Sequence, residues 1–208
     1  MYDNFDNLFK LTSEYVEKAT EVAGDAFHDD PLTLFVYPDE KERRRKLKYG
    51  FYMIYKYGIK NGVVYATSNN LEGIIVWLPP NKIFPSMWTM MRHGGFRAMR
   101  KVGLKIKAMK RSMTVFNYEE SKHRELAPFD HWYLQNIAVK PAEQSKGYGG
   151  QLISAMIEII DLEGLPIYLE TNNEKNFSFY QKYEFEILEH GIVPETEVPF
   201  WCLLRKPS

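Results

Sequence analysis

Gln144-Ser145-Lys146-Gly147-Tyr148-Gly149-Gly150 is the stretch on which the reading of this chain turns. Before it stands Trp132-Tyr133-Leu134-Gln135-Asn136-Ile137-Ala138-Val139, rich in aromatic and β-branched residues and too short for a helix; it reads as a buried strand. After it Leu152, Ile153, Met156, Ile157 and Ile160 recur at helical spacing until Gly164 and Pro166 stop the run. The residues between therefore form a strand-to-helix turn. Gly147, Gly149 and Gly150 lack a Cβ, so the backbone there can take positive φ and approach a ligand, while the first free N–H groups of the helix point at it. An anion is the natural occupant, and several amides together with Lys146 suit a pyrophosphate better than a lone phosphate. A turn that merely closes a tight corner is the alternative. Two better-known phosphate loops fit poorly: the Walker pattern ends Gly-Lys-Ser/Thr whereas this turn ends Gly-Gly-Gln, and the dinucleotide pattern would need glycine where Leu152 stands.

Composition sets the limits. The chain has 208 residues, 45% of them hydrophobic and 15% aromatic, enough for one domain, 1–208, with a sizeable core. The 27 basic and 27 acidic residues cancel, so no general affinity for nucleic acid or an anionic membrane is implied and any anion site must be local. The single cysteine, Cys202, excludes an internal disulfide. No apolar run is long enough for a membrane span, and Met1-Tyr-Asp-Asn does not read as a signal peptide, so a cytoplasmic protein is expected. A monomer or a homodimer pairing through the aromatic C-terminal strand both fit.

Along the chain, Phe5–Leu11 reads as a first strand, and Thr12 or Ser13 as the cap of a helix to about Phe27. Pro38-Asp39 opens a longer helix to about Ile59, whose Arg43, Arg44, Arg45, Lys46 and Lys48 read as a solvated face. Val63–Thr67 and Leu71–Leu78 form a hairpin. Residues 84–125 are helical but interrupted at Gly94-Gly95 and Gly103, with Met87, Trp88, Met90 and Met91 among many cations. Three readings of this insertion stay open: a basic amphipathic surface, helices packing Met and Phe on the sheet with cations snorkelling outward, or a wall of the acceptor pocket. Strands at about 185–191 and 197–204 close the sheet.

The segment Val139–Gly150, with Gln144-x-x-Gly147-x-Gly149 at its core, resembles the acyl-coenzyme A loop of the GNAT superfamily of N-acetyltransferases. Pro166–Thr171, then Asn173, Asn176 and Phe179-Tyr180-Gln181-Lys182-Tyr183-Glu184-Phe185, resemble that superfamily's next strand and helix. Ala26-Phe27-x-x-Asp30-Pro31, Trp77-Leu78-Pro79-Pro80 and Trp201 are similar to the puromycin acetyltransferase-like branch. One departure is Glu184, where the superfamily usually has glycine, so that turn needs a costlier backbone or a different geometry. The resemblance implies an α/β (α+β) GNAT fold: a mixed, mostly antiparallel twisted sheet of six to seven strands flanked by helices, with the fourth and fifth strands splayed. It further implies acetyl-CoA as acyl donor, held by Ile137, Ala138, Val139, Gln144, Ser145, Lys146, Gly147, Tyr148, Gly149, Gly150, Asn173 and Asn176, and no resident metal. Tyr180 matches the superfamily's general acid.

The chemistry sets its own demands. An amine of pKa near 10.4 is only about 0.04% neutral at pH 7, a cost of roughly 4.6 kcal/mol, so a base must remove its proton. The leaving thiolate needs a proton back, and a tyrosine of ordinary pKa is short by only about 2 kcal/mol. The position where several superfamily members carry a glutamate on the strand before the loop is Tyr133, a poor base; Glu170, His131 or a water chain through Gln135 are the substitutes. The expected activity is acetyl transfer from acetyl-CoA to a primary amine of a small molecule, by direct attack in a ternary complex. A non-catalytic acyl-CoA sensor is the alternative, and covalent catalysis through Cys202 is not expected, since no histidine is near it in sequence.

Overall fold

The computed structural model describes residues 7–102 and 106–207. Its seven strands are β1 (Phe9–Lys10), β2 (Val63–Ala66), β3 (Gly73–Leu78), β4 (Trp132–Val139), β5 (Ile167–Thr171), β6 (Glu186–Ile192) and β7 (Pro199–Arg205). They form one sheet in the order β1-β2-β3-β4-β5-β7-β6, antiparallel throughout except between β4 and β5. Helices α1 (Val16–Ala26), α2 (Pro31–Val36), α3 (Glu40–Asn61), α4 (Met87–Met90), α5 (Phe96–Val102), α6 (Ile106–Leu126), α7 (Tyr148–Glu163) and α8 (Phe177–Gln181) flank it.

Strand alternation divides the core between two faces. Val63 and Tyr65 of β2 pack with Leu152, Ile153, Met156 and Ile160 of α7, whereas Val64 and Ala66 pack with Leu47, Phe51 and Tyr55 of α3 and Ala19 and Ala23 of α1. Each fully buried aliphatic side chain contributes about 1.5–3 kcal/mol. Farther along, the face opposite α7 is covered by Val115 and Tyr118 of α6 and by Leu32 and Phe35 of α2, over Tyr168, Phe200 and Cys202.

Two irregularities create the site. The register of β3 against β4 slips so that Trp77 faces Leu134 and Val76 faces Asn136, leaving Gln135 as a bulge. The parallel pairing of β4 with β5 consists of Trp132 with Ile167 and Tyr133 with Tyr168, and the strands part beyond it. This is the splayed pair that the resemblance implies.

Several sequence expectations change. The first strand is shorter than expected, and Phe5 lies outside the described residues, as do Gly103 and Lys105. A 3-10 turn, Ser13–Tyr15, precedes α1, and Thr12 makes no side-chain cap. Helix α2, only six residues long, is absent from the sequence reading although Asp30-Pro31 is a start signal: the Asp30 carboxylate accepts from Leu32 N–H at 3.0 Å and proline occupies the first turn. The basic run of α3 is not merely solvated. Arg43 is buried and donates to the Tyr37 and Pro38 carbonyls at 2.9 and 3.3 Å, and buried Lys46 pairs with Glu42 at 2.7 Å. Gly94 has φ +122° in a π-helical turn that bends the insertion. The reading in which the insertion packs its Met and Phe side chains on the sheet holds only in part: Met90 packs beside Leu78 of β3, and Val115 and Tyr118 of α6 face the sheet, whereas Met87, Trp88, Phe96, Met99, Met109, Met113 and Phe116 are exposed. Glu184 has φ +64°, the costlier backbone that its place in the turn demands.

Candidate active site

The turn before α7 narrows the role of its glycines. Gly147 is left-handed, φ +90°, at the N-cap, and a Cβ there would meet open space. Ser145 is also left-handed, φ +64°. Gly149 and Gly150 instead lie within the first turn of α7, where a Cβ would come 3.3 Å from the Phe179 ring and 2.6 Å from the Tyr183 hydroxyl. Their smallness therefore lets α7 seat on the chain around α8. Since Gln151 N–H is bonded to the Gly147 carbonyl at 3.0 Å, the amides of Tyr148, Gly149 and Gly150 precede the first intrahelical bond. Gln144 donates to the Val139 carbonyl at 3.2 Å, tying the turn to the strand end, and Lys146 pairs with Glu143 at 2.9 Å.

The open edge of β4 follows from alternation. Lys140 N–H donates to Glu72 on the β3 side at 2.9 Å, so the amides of Ile137 and Val139 face the other way, into the gap left by β5, and Ala138 turns its amide to β3.

On the face opposite α7, four elements bring titratable groups together. The Glu170 carboxylate of β5 lies 3.0 Å from His123 Nδ1 of α6, and His123 Nε2 lies 2.8 Å from Nε2 of His131. His131 Nδ1 is 2.6 Å from the Phe129 carbonyl. The sequence placed His131 at the start of a strand; here it is buried and linked to Glu170 through His123. Tyr133 is not a base: burial first, then the charge of Glu170 and a hydrogen bond to it, push its hydroxyl well above the usual tyrosine range. Gln135 Oε1 is buried without a hydrogen-bond partner among the described residues. Burial also pushes the Cys202 thiol up to about 12, so it stays un-ionised at neutral pH.

Glu119, one turn before His123 on α6, accepts from Asn172 Nδ2 at 2.7 Å. Burial, then the charge of Glu170, push its carboxyl up to about 8. The folded chain therefore holds this proton up to about pH 8 while the unfolded chain loses it near 4.5, so stability falls as pH rises between those values. Glu119→Gln, whose amide oxygen can still accept from Asn172, should remove that loss. Urea denaturation at pH 9 should find the variant more stable than the wild type by on the order of 2 kcal/mol, with the difference gone at pH 4.

On the α7 face Tyr180 is buried against Phe179 and Phe185, with ring centroids 5.2 and 5.7 Å away. Burial, then the nearby Asp30 carboxylate, raise its hydroxyl above the usual range. Asp30 also acts on Glu119, and its own carboxyl is pushed up to about 6 by burial. Asn173 and Asn176 each make one side-chain bond within their own turn: Asn173 Oδ1 accepts from Lys175 N–H at 3.2 Å, and Asn176 Nδ2 donates to Thr171 Oγ1 at 3.0 Å.

Sequence reasoning missed His123, Glu119 and Asp30. The first two sit four residues apart on α6, the spacing that puts both on one helix face, but nothing in the sequence says which strand that face covers.

Residues 113–187, which include the splayed pair and the positive-φ turn before α7, match the acetyltransferase (GNAT) domain model. The sheet and its helices have the GNAT fold, and the chain is an acetyltransferase enzyme. It is 28% identical, over 212 aligned residues, to an uncharacterised N-acetyltransferase of Schizosaccharomyces pombe, covering 96% of this chain and 83% of that protein. Its fold is similar to that of a Corynebacterium glutamicum protein described as histone acetyltransferase HPA2 and related acetyltransferase, with TM-score 0.68, 19% identity and coverage of 97% and 96%. It is also similar in fold to arylalkylamine N-acetyltransferase 2 of Aedes aegypti, with TM-score 0.60, 11% identity and coverage of 97% and 98%. No described helix is long and apolar enough to cross a membrane.

Proposed function

We propose that this enzyme transfers the acetyl group of acetyl-CoA to the primary amine of a small molecule, by direct attack while both are bound. The observation that carries the reading is the gap between β4 and β5, which has unpaired strand amides on one edge and the start of α7 at its end. In this reading the pantetheine extends β4 by hydrogen bonding to Ile137 and Val139, and the pyrophosphate rests on the amides of Tyr148, Gly149 and Gly150. Ser145 and Gly147 shape the turn, and Gln144 fixes it to Val139. Lys146 adds positive charge from its exposed position. Asn173 and Asn176 hold the segment between β5 and α8 that borders the cofactor site.

For the acceptor, Glu170 takes the ammonium proton and Tyr180 returns one to the leaving thiolate. The strand amides that hold the pantetheine also polarise the thioester carbonyl. A small amine is favoured because the Aedes aegypti neighbour carries an arylalkylamine in its name. The motifs Ala26-Phe27-x-x-Asp30-Pro31, Trp77-Leu78-Pro79-Pro80 and Trp201 support a place in the puromycin acetyltransferase-like branch.

Calorimetric titration with acetyl-CoA tests the donor half. Gly147→Val forces a β-branched residue to φ +90°, a strain of about 1–2 kcal/mol, and should raise Kd roughly tenfold. Unchanged affinity in the variant, or no binding by the wild type, would remove the loop from the cofactor site.

A further inference from the structure

We propose that His123 and His131 are positioning residues that join Glu170 in one buried proton-holding unit, which carries one proton more than an ionised carboxylate and two neutral imidazoles and must lose it before Glu170 can act as a base. The inference rests on the reading of Glu170 as the base, and it comes from counting protons along three short contacts. Glu170 to His123 Nδ1 is 3.0 Å, His123 Nε2 to His131 Nε2 is 2.8 Å, and His131 Nδ1 to the Phe129 carbonyl is 2.6 Å. Each contact needs a hydrogen between its two heavy atoms. Two neutral imidazoles supply one each, so the third must be additional. With only two protons, one contact sets lone pair against lone pair, at Glu170, between the rings or at Phe129, and these buried side chains have little water to relieve it.

The surroundings favour that count. Burial holds His131 below the usual histidine range, so it stays neutral, with Nδ1–H on the Phe129 carbonyl and Nε2 left to accept. Tyr133 from β4 donates to Glu170, and Tyr168 from β5 stacks on His123 with centroids 4.0 Å apart. Glu119 on α6 is uncharged below about pH 8, and the Cys202 thiol of β7 is un-ionised. Arg124 turns its guanidinium onto Phe84, 3.8 Å from the ring centroid, and Asp130 acts on His131 from the loop before β4. In turnover the unit first releases its extra proton to solvent. An N–H bond of the acceptor ammonium then breaks, the proton passes to the Glu170–His123 pair, and the free amine attacks. The three-proton chain is thereby restored.

Imidazole 15N and glutamate carboxyl 13C NMR of the wild-type protein at neutral pH counts these protons directly. The expected result is a bare Nε2 and protonated Nδ1 on His131, with the extra proton on His123 Nδ1, on Glu170, or shared between them. An ionised Glu170 beside a His123 with one bare nitrogen would overturn the proposal. Kinetics gives a second readout. In His131→Phe, His123 can donate from Nδ1 to Glu170 with no proton needed at Nε2, so the acid limb of kcat/KM should move to lower pH by about one unit or more. If Glu170→Gln keeps full turnover, the base assignment itself is wrong. If Glu170→Gln is inactive while folded His131→Phe keeps the wild-type limb, only the proton-unit proposal falls.

Discussion

Replacing Glu170 with glutamine lowers kcat about a thousandfold while leaving the affinity for acetyl-CoA unchanged; this is the largest catalytic effect we expect of any single substitution. General-base catalysis contributes on the order of 10²–10⁴ in rate, and an amide of the same shape cannot accept a proton. The size of the loss follows from the roughly 4.6 kcal/mol needed to deprotonate an alkylammonium at pH 7. Glu170 lies on β5 beside His123, on the face opposite α7, so the turn from Gln144 to Gly147 is untouched. Burial of its side chain, 8% exposed, means that the variant must be checked for folding by circular dichroism. Stopped or steady-state thiol release then reads kcat, and calorimetry reads acetyl-CoA binding. A variant that keeps more than about a tenth of wild-type kcat would mean that another group, or water alone, removes the proton.

Tyr180→Phe is expected to cost about a hundredfold in kcat with acetyl-CoA affinity retained. The ring is held by Phe179 and Phe185, and no described residue bonds its hydroxyl, so phenylalanine keeps the packing and stability should change by less than about 1 kcal/mol. From ordinary pKa values the tyrosine is short of protonating the thiolate by about 2 kcal/mol. Burial and Asp30 push the hydroxyl higher and widen that gap in the empty site. A thiolate formed in the same desolvated gap is raised by the same physics, so the two shifts offset each other during turnover. Asp30→Asn should then ease the donation, and loss of binding rather than turnover in Tyr180→Phe would mark the tyrosine as structural.

The sequence carries the fold well where local pattern and tertiary role coincide. Trp132–Val139 is a strand by composition and is β4, while the apolar spacing from Leu152 to Ile160 together with Gly164 describes α7 to its left-handed cap. The positive φ at Gly147 is likewise legible, because a turn leading into a helix N-terminus needs it. Gly149 and Gly150 show the limit of such reading, since a glycine that admits a ligand and one that admits Phe179 or Tyr183 look alike in sequence. Glu170 and His131 can be nominated from their strands, but their connection runs through His123, which lies between them only because α6 crosses β5. Contacts of that kind join residues 47 positions apart, and no periodicity reports them. Arg43 and Lys46 were read as solvated for a related reason: their burial is set by the Tyr37–Pro38 carbonyls and Glu42, which the charge pattern does not reveal.

The central claim is acetyl transfer to a small amine, and the most direct test incubates the purified protein with acetyl-CoA and, separately, phenylethylamine, agmatine and spermidine. Free coenzyme A thiol and the acetylated amine are both measured. The account predicts that at least one amine yields thiol and N-acetyl product in equal amounts, with Glu170→Gln yielding neither. Calorimetric binding of acetyl-CoA with no thiol released and no amine acetylated would contradict it, and would leave a protein that holds the donor without using it.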